Sequence, residues 1–288
     1  MATPGSKLLN GDNLLYRLFQ KLLKNEDSNV RSALAGEMIQ GMSIWLPLDL
    51  YQKCPVILPW VVRNNKCRPY TLQGSKHPDR WGAPDELGYQ MDDNTLIKGV
   101  PKSLPITGPK DSPLVGMKMG NDFVASHIWR KIDGIELVAN RHPELNSFVP
   151  NLVWLPSQIS KLSDREGQII QDLLKLASWK VYRNAKVDQC YHKAVEEIWK
   201  YLEKDIEKIT ERYEFDPKSA HHFLPKDEKF VLRRIETAKK ALEFITSCEN
   251  GTPTPPKSTT SRYAEGLPKV NKVTLSKLKK QVSKFVAS

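Results

Sequence analysis

The sequence predicts an α+β chain that is mainly helical, and three observations carry that reading. Apolar residues recur at helical spacing through most of 170–245. Two short apolar runs of β type stand at 123–129 and 151–155, the second leading into a polar stretch that reads as a helix. From Trp45 to Pro113 the chain is rich in Pro and Gly with brief apolar runs, which predicts irregular structure and a few short strands.

Taken in order, Leu8, Leu9, Leu14, Leu15, Leu18, Phe19, Leu22 and Leu23 predict an amphipathic helix over 8–24, with Asp12 as the N-cap of its main body. A second helix is expected through Val30–Met42. Short strands are expected in runs such as Pro55–Val62, and the Pro, Asp and Gly residues of His77–Glu86 read as turn chemistry. After residue 165, three stripes predict helices. Ile170, Leu173, Leu174, Ala177 and Val181 form the first; Val195, Ile198, Trp199, Leu202, Ile206, Ile209 and Tyr213 the second; Val231, Ile235, Ala238, Leu242 and Ile245 the third. A polar Pro/Thr/Ser linker follows over 249–262. Beyond it Leu275, Leu278, Val282 and Phe285 share one face of a basic helix, expected to dock on its own body, on a second subunit or along DNA.

Composition bounds the function. At 288 residues with 40% hydrophobic content and seven Trp, the chain can bury a real core. No apolar run approaches the roughly 20 residues of a membrane span, and the N-terminus lacks a secretion signal, so a cytoplasmic protein without a membrane partner is expected. Cys54, Cys67, Cys190 and Cys248 form no Cys-x-x-Cys pair, which argues against a structural zinc. The 44 Lys+Arg outnumber the 33 Asp+Glu, for a formal charge of +11, and that balance suits a polyanionic partner. Six lysines and no acid follow Glu265, so the tail carries over half of the excess.

The densest chemistry lies between. His127 closes the run Phe123-Val124-Ala125-Ser126-His127-Ile128-Trp129, and Asn151-Leu152-Val153-Trp154-Leu155-Pro156 follows 24 residues later. This pairing, with Asp164-Arg165 after it, resembles the ββα-metal finger of HNH endonucleases over roughly residues 120–167. The resemblance implies a mainly helical body around such a finger. It implies segments at 1–115 (helical and irregular, for recognition), 116–183 (finger), 184–249 (helical) and 250–288 (linker and basic tail).

It also implies roles. Hydrolysing a phosphodiester needs a base for water and a cation for the charge that grows on phosphate. His127 would be the base, titrating near 6.5, and Asn151 the brace of the loop that carries it. Nine residues after Asn151, where the family places a metal ligand, stands Ser160, a poor ligand for a hard cation. Asp164, one helical turn on, would share its face and supply the carboxylate for Mg²⁺ or Mn²⁺. Arg130, Lys131, Lys161 and Arg165, with Lys277 and Lys280 in the tail, are the candidate phosphate contacts.

The expected function is therefore a metal-dependent DNA endonuclease of restriction or defence type, acting on double-stranded DNA as a homodimer. The alternatives are a non-catalytic DNA-binding protein with a degenerate ββα fold, and a helical interaction protein in which the His127 run is incidental.

Overall fold

A computed structural model describes residues 8–9, 11, 14, 30–64, 67, 80–132, 141–163 and 169–286. Helices and strands are mixed along the chain, as an α+β reading requires. The helix expected over 8–24 lies largely outside the described residues; its first two leucines instead form strand β1 (Leu8–Leu9), paired in parallel with a later strand at Lys118–Met119.

Helix α1 (Val30–Met42) occupies the expected span, and Ala35, Met38, Ile39 and Met42 are buried. The Pro-rich half then delivers short elements: β2 (Ile44–Trp45), α2 (Leu48–Lys53), β3 (Val61–Arg63), β4 (Gln90–Asp92), α3 (Thr95–Gly99), β5 (Ile106–Thr107) and β6 (Lys118–Met119). The turns expected before β4 are present from Arg80 onward. The Asp85 carboxylate accepts from the amides of Leu87 (2.9 Å) and Tyr89 (2.8 Å). Gly88 takes φ +85°, and a Cβ there would stand 3.0 Å from Leu278, so both conformation and space call for glycine.

Strands β7 (Phe123–His127) and β8 (Leu152–Pro156) pair antiparallel in full register, from Phe123 opposite Pro156 to His127 opposite Leu152. Helix α4 (Pro143–Asn146) lies in their connection, and α5 (Ser157–Ser163) leaves β8 directly. A fifth partner, β9 (His221–Phe223), completes a sheet of order β5-β9-β2-β8-β7. Strands from three of the four expected segments thus share one sheet. β8 is buried at every position, which explains its unbroken apolar run.

The periodic stripes become α6 (Ile169–Tyr182), α7 (Gln189–Leu202), α8 (Ile206–Thr210) and α9 (Lys229–Glu249). The second stripe is interrupted: a 3₁₀ turn at Glu203–Asp205 separates α7 from α8, and the Glu203 carboxylate meets Arg183, which also grips Glu196 at 2.8 Å. Aromatic edges tie these helices to the sheet. Trp199 packs edge-on against Trp129 (5.9 Å) and Phe148 (5.7 Å), and its indole N–H donates to Tyr51 at 2.9 Å.

The tail docks on its own body. After the exposed linker, Thr260 caps α10 (Ser261–Gly266) and Asn271 caps α11 (Lys272–Ser283). Leu275, Leu278, Val282 and Phe285 are all buried, with α11 lying along α9. Tyr263, also buried, donates its hydroxyl to the Gly88 carbonyl at 2.9 Å, and Lys284 pairs with Glu144 at 3.0 Å. Among the described residues, no helix is long and apolar enough to cross a membrane.

Candidate active site

The β7–β8 pair and α4 bring His127 and Asn151 together. His127 ends β7 and Asn151 immediately precedes β8, so full-register pairing sets the brace beside the turn that follows the histidine. The Asn151 carboxamide is fully buried and uses both ends. Its Oδ1 accepts from the amides of Ile128 (3.1 Å) and Trp129 (2.8 Å), and its Nδ2 donates to the Leu145 carbonyl at 2.9 Å. One side chain therefore holds the chain leaving His127 to the chain entering β8. Gln171 of α6 adds a bond from its Nε2 to the Ile128 carbonyl, at 3.1 Å.

His127 is oriented by an atom that no sequence motif marks. Its Nε2 lies 2.8 Å from the carbonyl oxygen of Asn146. A carbonyl only accepts, so Nε2 carries the proton and Nδ1 presents the lone pair. That Nδ1 is buried without a hydrogen-bond partner, as is the Oδ1 of Asn146. Asn146 is pinned in turn, its Nδ2 donating to the Val61 carbonyl at 2.9 Å. Across β7, Asn94 sits at φ 84° and donates from Nδ2 to the Ala125 carbonyl at 2.9 Å.

The electrostatics depart from expectation. His127 is only 4% exposed, and its pKa is pushed down to about 3 rather than standing near 6.5. Burial is the main cause, and the charges of Arg63 and Arg130 act in the same direction, against the opposing pull of the backbone carbonyl and the side chain of Asn146. The imidazole is thus a neutral, weakly basic acceptor across the physiological range.

The remaining site residues divide. Arg130 is half-buried beside His127, and Lys131 is exposed one residue on. Ser160 gives its hydroxyl to the Ser157 carbonyl at 2.7 Å, the ordinary fate of a serine inside a helix. Lys161 lies on α5, but its side chain, like Asp164 and Arg165, is outside the described residues. Lys277 and Lys280 are exposed on α11, away from the face that docks.

Among the described residues, no three His, Cys, Asp or Glu side chains gather as a cation site. The described donors alone, a histidine and a serine already bonded to a carbonyl, do not fit Mg²⁺ or Mn²⁺, which take oxygen ligands.

Sequence reasoning missed Asn146, Arg63, Asn94 and Gln171. Asn94 alone had a signal, since Asp92-Asp93-Asn94 is a run of residues that favour turns and tolerate left-handed backbone. Compared with protein-family models, curated proteins and solved structures, the chain gives no match.

Proposed function

We propose that this chain is a phosphodiester-hydrolysing DNA endonuclease of the HNH type, with His127 as general base and Asn151 as the brace of its loop. The observation that supports it is the double use of the Asn151 carboxamide beside a histidine whose Nδ1 lone pair is left without a partner. A base needs such a lone pair, fixed in tautomer and direction. Mg²⁺ or Mn²⁺ would supply charge neutralisation, with Asp164 as the carboxylate to hold it. Arg130, Lys131, Lys161 and Arg165 would contact phosphates near the cut. Cutting both strands takes two scissions, so a symmetric homodimer on a short palindrome is the economical arrangement, and restriction or defence the fitting role.

One observation favours a second reading. An imidazole buried to 4% exposure and held near pKa 3 is a poor proton acceptor at neutral pH. On that reading the chain is a DNA-binding protein that keeps a ββα arrangement without catalysis. Incubation with supercoiled plasmid and Mg²⁺ or Mn²⁺, with and without EDTA, separates the two. Discrete bands that vanish with EDTA and in His127→Ala support the nuclease. DNA binding without cleavage in any metal supports the second reading.

A further inference from the structure

Ser112 and His221 form a pair that the His127 site does not use. The Oγ of Ser112 lies 2.7 Å from Nε2 of His221, and Nδ1 of His221 lies 3.0 Å from the carbonyl oxygen of Gln40 in α1. A carbonyl only accepts, so Nδ1 carries the proton, Nε2 holds the lone pair, and the serine hydroxyl donates to it. A nucleophile, a base and a group that orients the base thus follow one another, each within hydrogen-bond reach of the next. His221 belongs to β9 and His127 to β7, three strand spacings apart in the sheet, roughly 14 Å.

The fold fixes each member. His221 is 4% exposed, in a strand flanked by β2 and β5. A Cβ at Gly108 would stand 2.5 Å from its Cδ2, so glycine lets the chain leaving β5 pass this close to the ring. Ser112 follows in a turn, its amide donating to the Pro109 carbonyl at 2.9 Å and its Oγ accepting from the Leu114 amide at 3.2 Å. The hydroxyl thus gives its proton to Nε2 and one lone pair to Leu114, and it keeps a second lone pair for an electrophile. Ser112 is half-buried between the exposed Asp111 and Pro113, so solvent reaches the turn. Burial lowers the pKa of His221 against the opposing bond to Gln40, which keeps the imidazole neutral and able to accept a proton.

We propose that Ser112 and His221 are the nucleophile and general base of a second site, one that hydrolyses carboxylic esters through an acyl-serine. Ser112 Oγ bonds to the ester carbonyl carbon as its proton passes to Nε2 of His221. The bond from that carbon to the leaving oxygen then breaks, and Nε2 hands the proton to the departing alkoxide. Water repeats the sequence on the acyl-serine: Nε2 takes its proton, the acid is released, and the proton returns to Ser112 Oγ. The Gln40 carbonyl orients the imidazole but brings no full negative charge to the imidazolium, unlike the carboxylate of a complete triad. The pair therefore suits esters, whose oxygen leaves more readily than the nitrogen of an amide. None of this depends on His127 or on a metal.

The test incubates the full chain in EDTA with p-nitrophenyl acetate and, separately, with an alkyl fluorophosphonate, which phosphonylates an activated serine as fluoride leaves. Intact mass should rise by one phosphonyl group, and peptide mapping should place it on Ser112. Release of p-nitrophenolate should slow about 10²-fold or more in Ser112→Ala and in His221→Gln, which keeps a donor toward Gln40 but has no basic nitrogen. Melting curves identify which variants fold. Should His221→Gln not fold, labelling of the wild type before and after unfolding in urea replaces it: loss of the label on unfolding supports the pair, and equal labelling overturns it. An unlabelled Ser112, or a folded Ser112→Ala that releases p-nitrophenolate at the wild-type rate, also overturns the proposal and leaves the bond to His221 only pinning the turn. Because EDTA is present throughout, the result is independent of whether plasmid is cleaved with Mg²⁺ or Mn²⁺.

Discussion

The Nε2 of His127 lies 2.8 Å from the carbonyl oxygen of Asn146, and Asn146 is itself tied by its carboxamide to the Val61 carbonyl. The tautomer of His127 is thereby set by the backbone of a loop, and that loop by a strand from the Pro-rich half. Asn151 closes the same circuit from the other side through Leu145. The imidazole is held by packing and hydrogen bonds rather than by a carboxylate, which is why burial dominates its pKa.

If His127 is the base, His127→Ala should lower the cleavage rate by about 10²–10⁴ and leave DNA affinity nearly intact, because affinity rests on phosphate contacts. Only the neutral imidazole accepts a proton, and its pKa of about 3 keeps it neutral well below pH 6. The acid limb of kcat/KM should therefore fall below about pH 4 rather than near 6.5. A variant turning over at the wild-type rate removes His127 from the chemistry.

Asn151→Ala should destabilise the fold by about 2 kcal/mol or more. It strands the Trp129 amide and the Leu145 carbonyl in a fully buried position, while the Ile128 amide keeps its 3.0 Å bond to the backbone carbonyl of residue 151, and each unsatisfied group costs about 1–3 kcal/mol. Asn151→Asp keeps the acceptor and loses only the donor to Leu145, so it should cost less at low pH, where the carboxyl is protonated. Urea titration of both variants reads the difference, and a midpoint for Asn151→Ala equal to wild type would contradict the bracing role.

Asp164→Asn should reduce metal-dependent cleavage more than Ser160→Ala. The serine hydroxyl is already given to the Ser157 carbonyl, whereas a carboxylate adds charge toward a divalent ion. Activity titrated against Mg²⁺ is the measurement. Superimposable curves for wild type and Asp164→Asn would exclude that carboxylate as a ligand.

What could be read in advance follows from the range of the forces involved. The stripes of α6, α7 and α9 were legible because a 3.6-residue period is written locally. The break at Glu203 was not, since it accompanies a carboxylate drawn to Arg183, 20 residues away. The β7–β8 pair was legible from two apolar runs with a histidine and an asparagine at their ends. Its sheet partners were not: Ile44 pairs with Trp154 and with His221, and nothing local encodes that register. The same limit applies at the site. Asn151 could be named from a motif, but the Asn146 carbonyl that orients His127 is backbone, which every residue carries.

Asp92 offers a test by pH. It is fully buried, and burial raises its pKa to about 6, against the lowering effect of bonds from Leu96 and Trp81. The native state therefore favours the protonated acid. This contribution is present below the unfolded value near 3.9 and is lost as pH rises through 6. An asparagine keeps an acceptor without the charge, so Asp92→Asn should gain on wild type by up to about 3 kcal/mol between pH 4 and pH 7. His127 has the opposite sign: its depressed pKa withdraws stability as pH falls from 6.5 toward 3. The two slopes oppose each other between pH 4 and 6, so only the variant exposes the Asp92 effect. A stability difference independent of pH would show that Asp92 titrates normally.

The tail gives the last prediction. A polar linker followed by a lysine-rich helix reads as a dispensable appendage, and truncation after Cys248 would then leave the body folded. The docking of α10 and α11 predicts otherwise. Leu275, Leu278, Val282 and Phe285 are each at most 2% exposed, as are Tyr263 and Leu267. Burying one such side chain contributes about 1.5–3 kcal/mol, so the three of α11 with Phe285 just beyond it fall within the 5–15 kcal/mol by which a whole domain is stable. Truncation should therefore unfold the protein or lower its melting temperature steeply, and that makes it an unsuitable probe of DNA contact. Lys277→Gln with Lys280→Gln is the better one, because both side chains are exposed and the packed face is untouched. If both lysines touch phosphate, the slope of log affinity against log salt should shrink by about 1.8, at roughly 0.9 per contact. An unchanged slope in a normally melting double variant would confine the tail to stabilising the fold. A truncated chain that melts like the full one would instead show that the α11 contacts carry no stability.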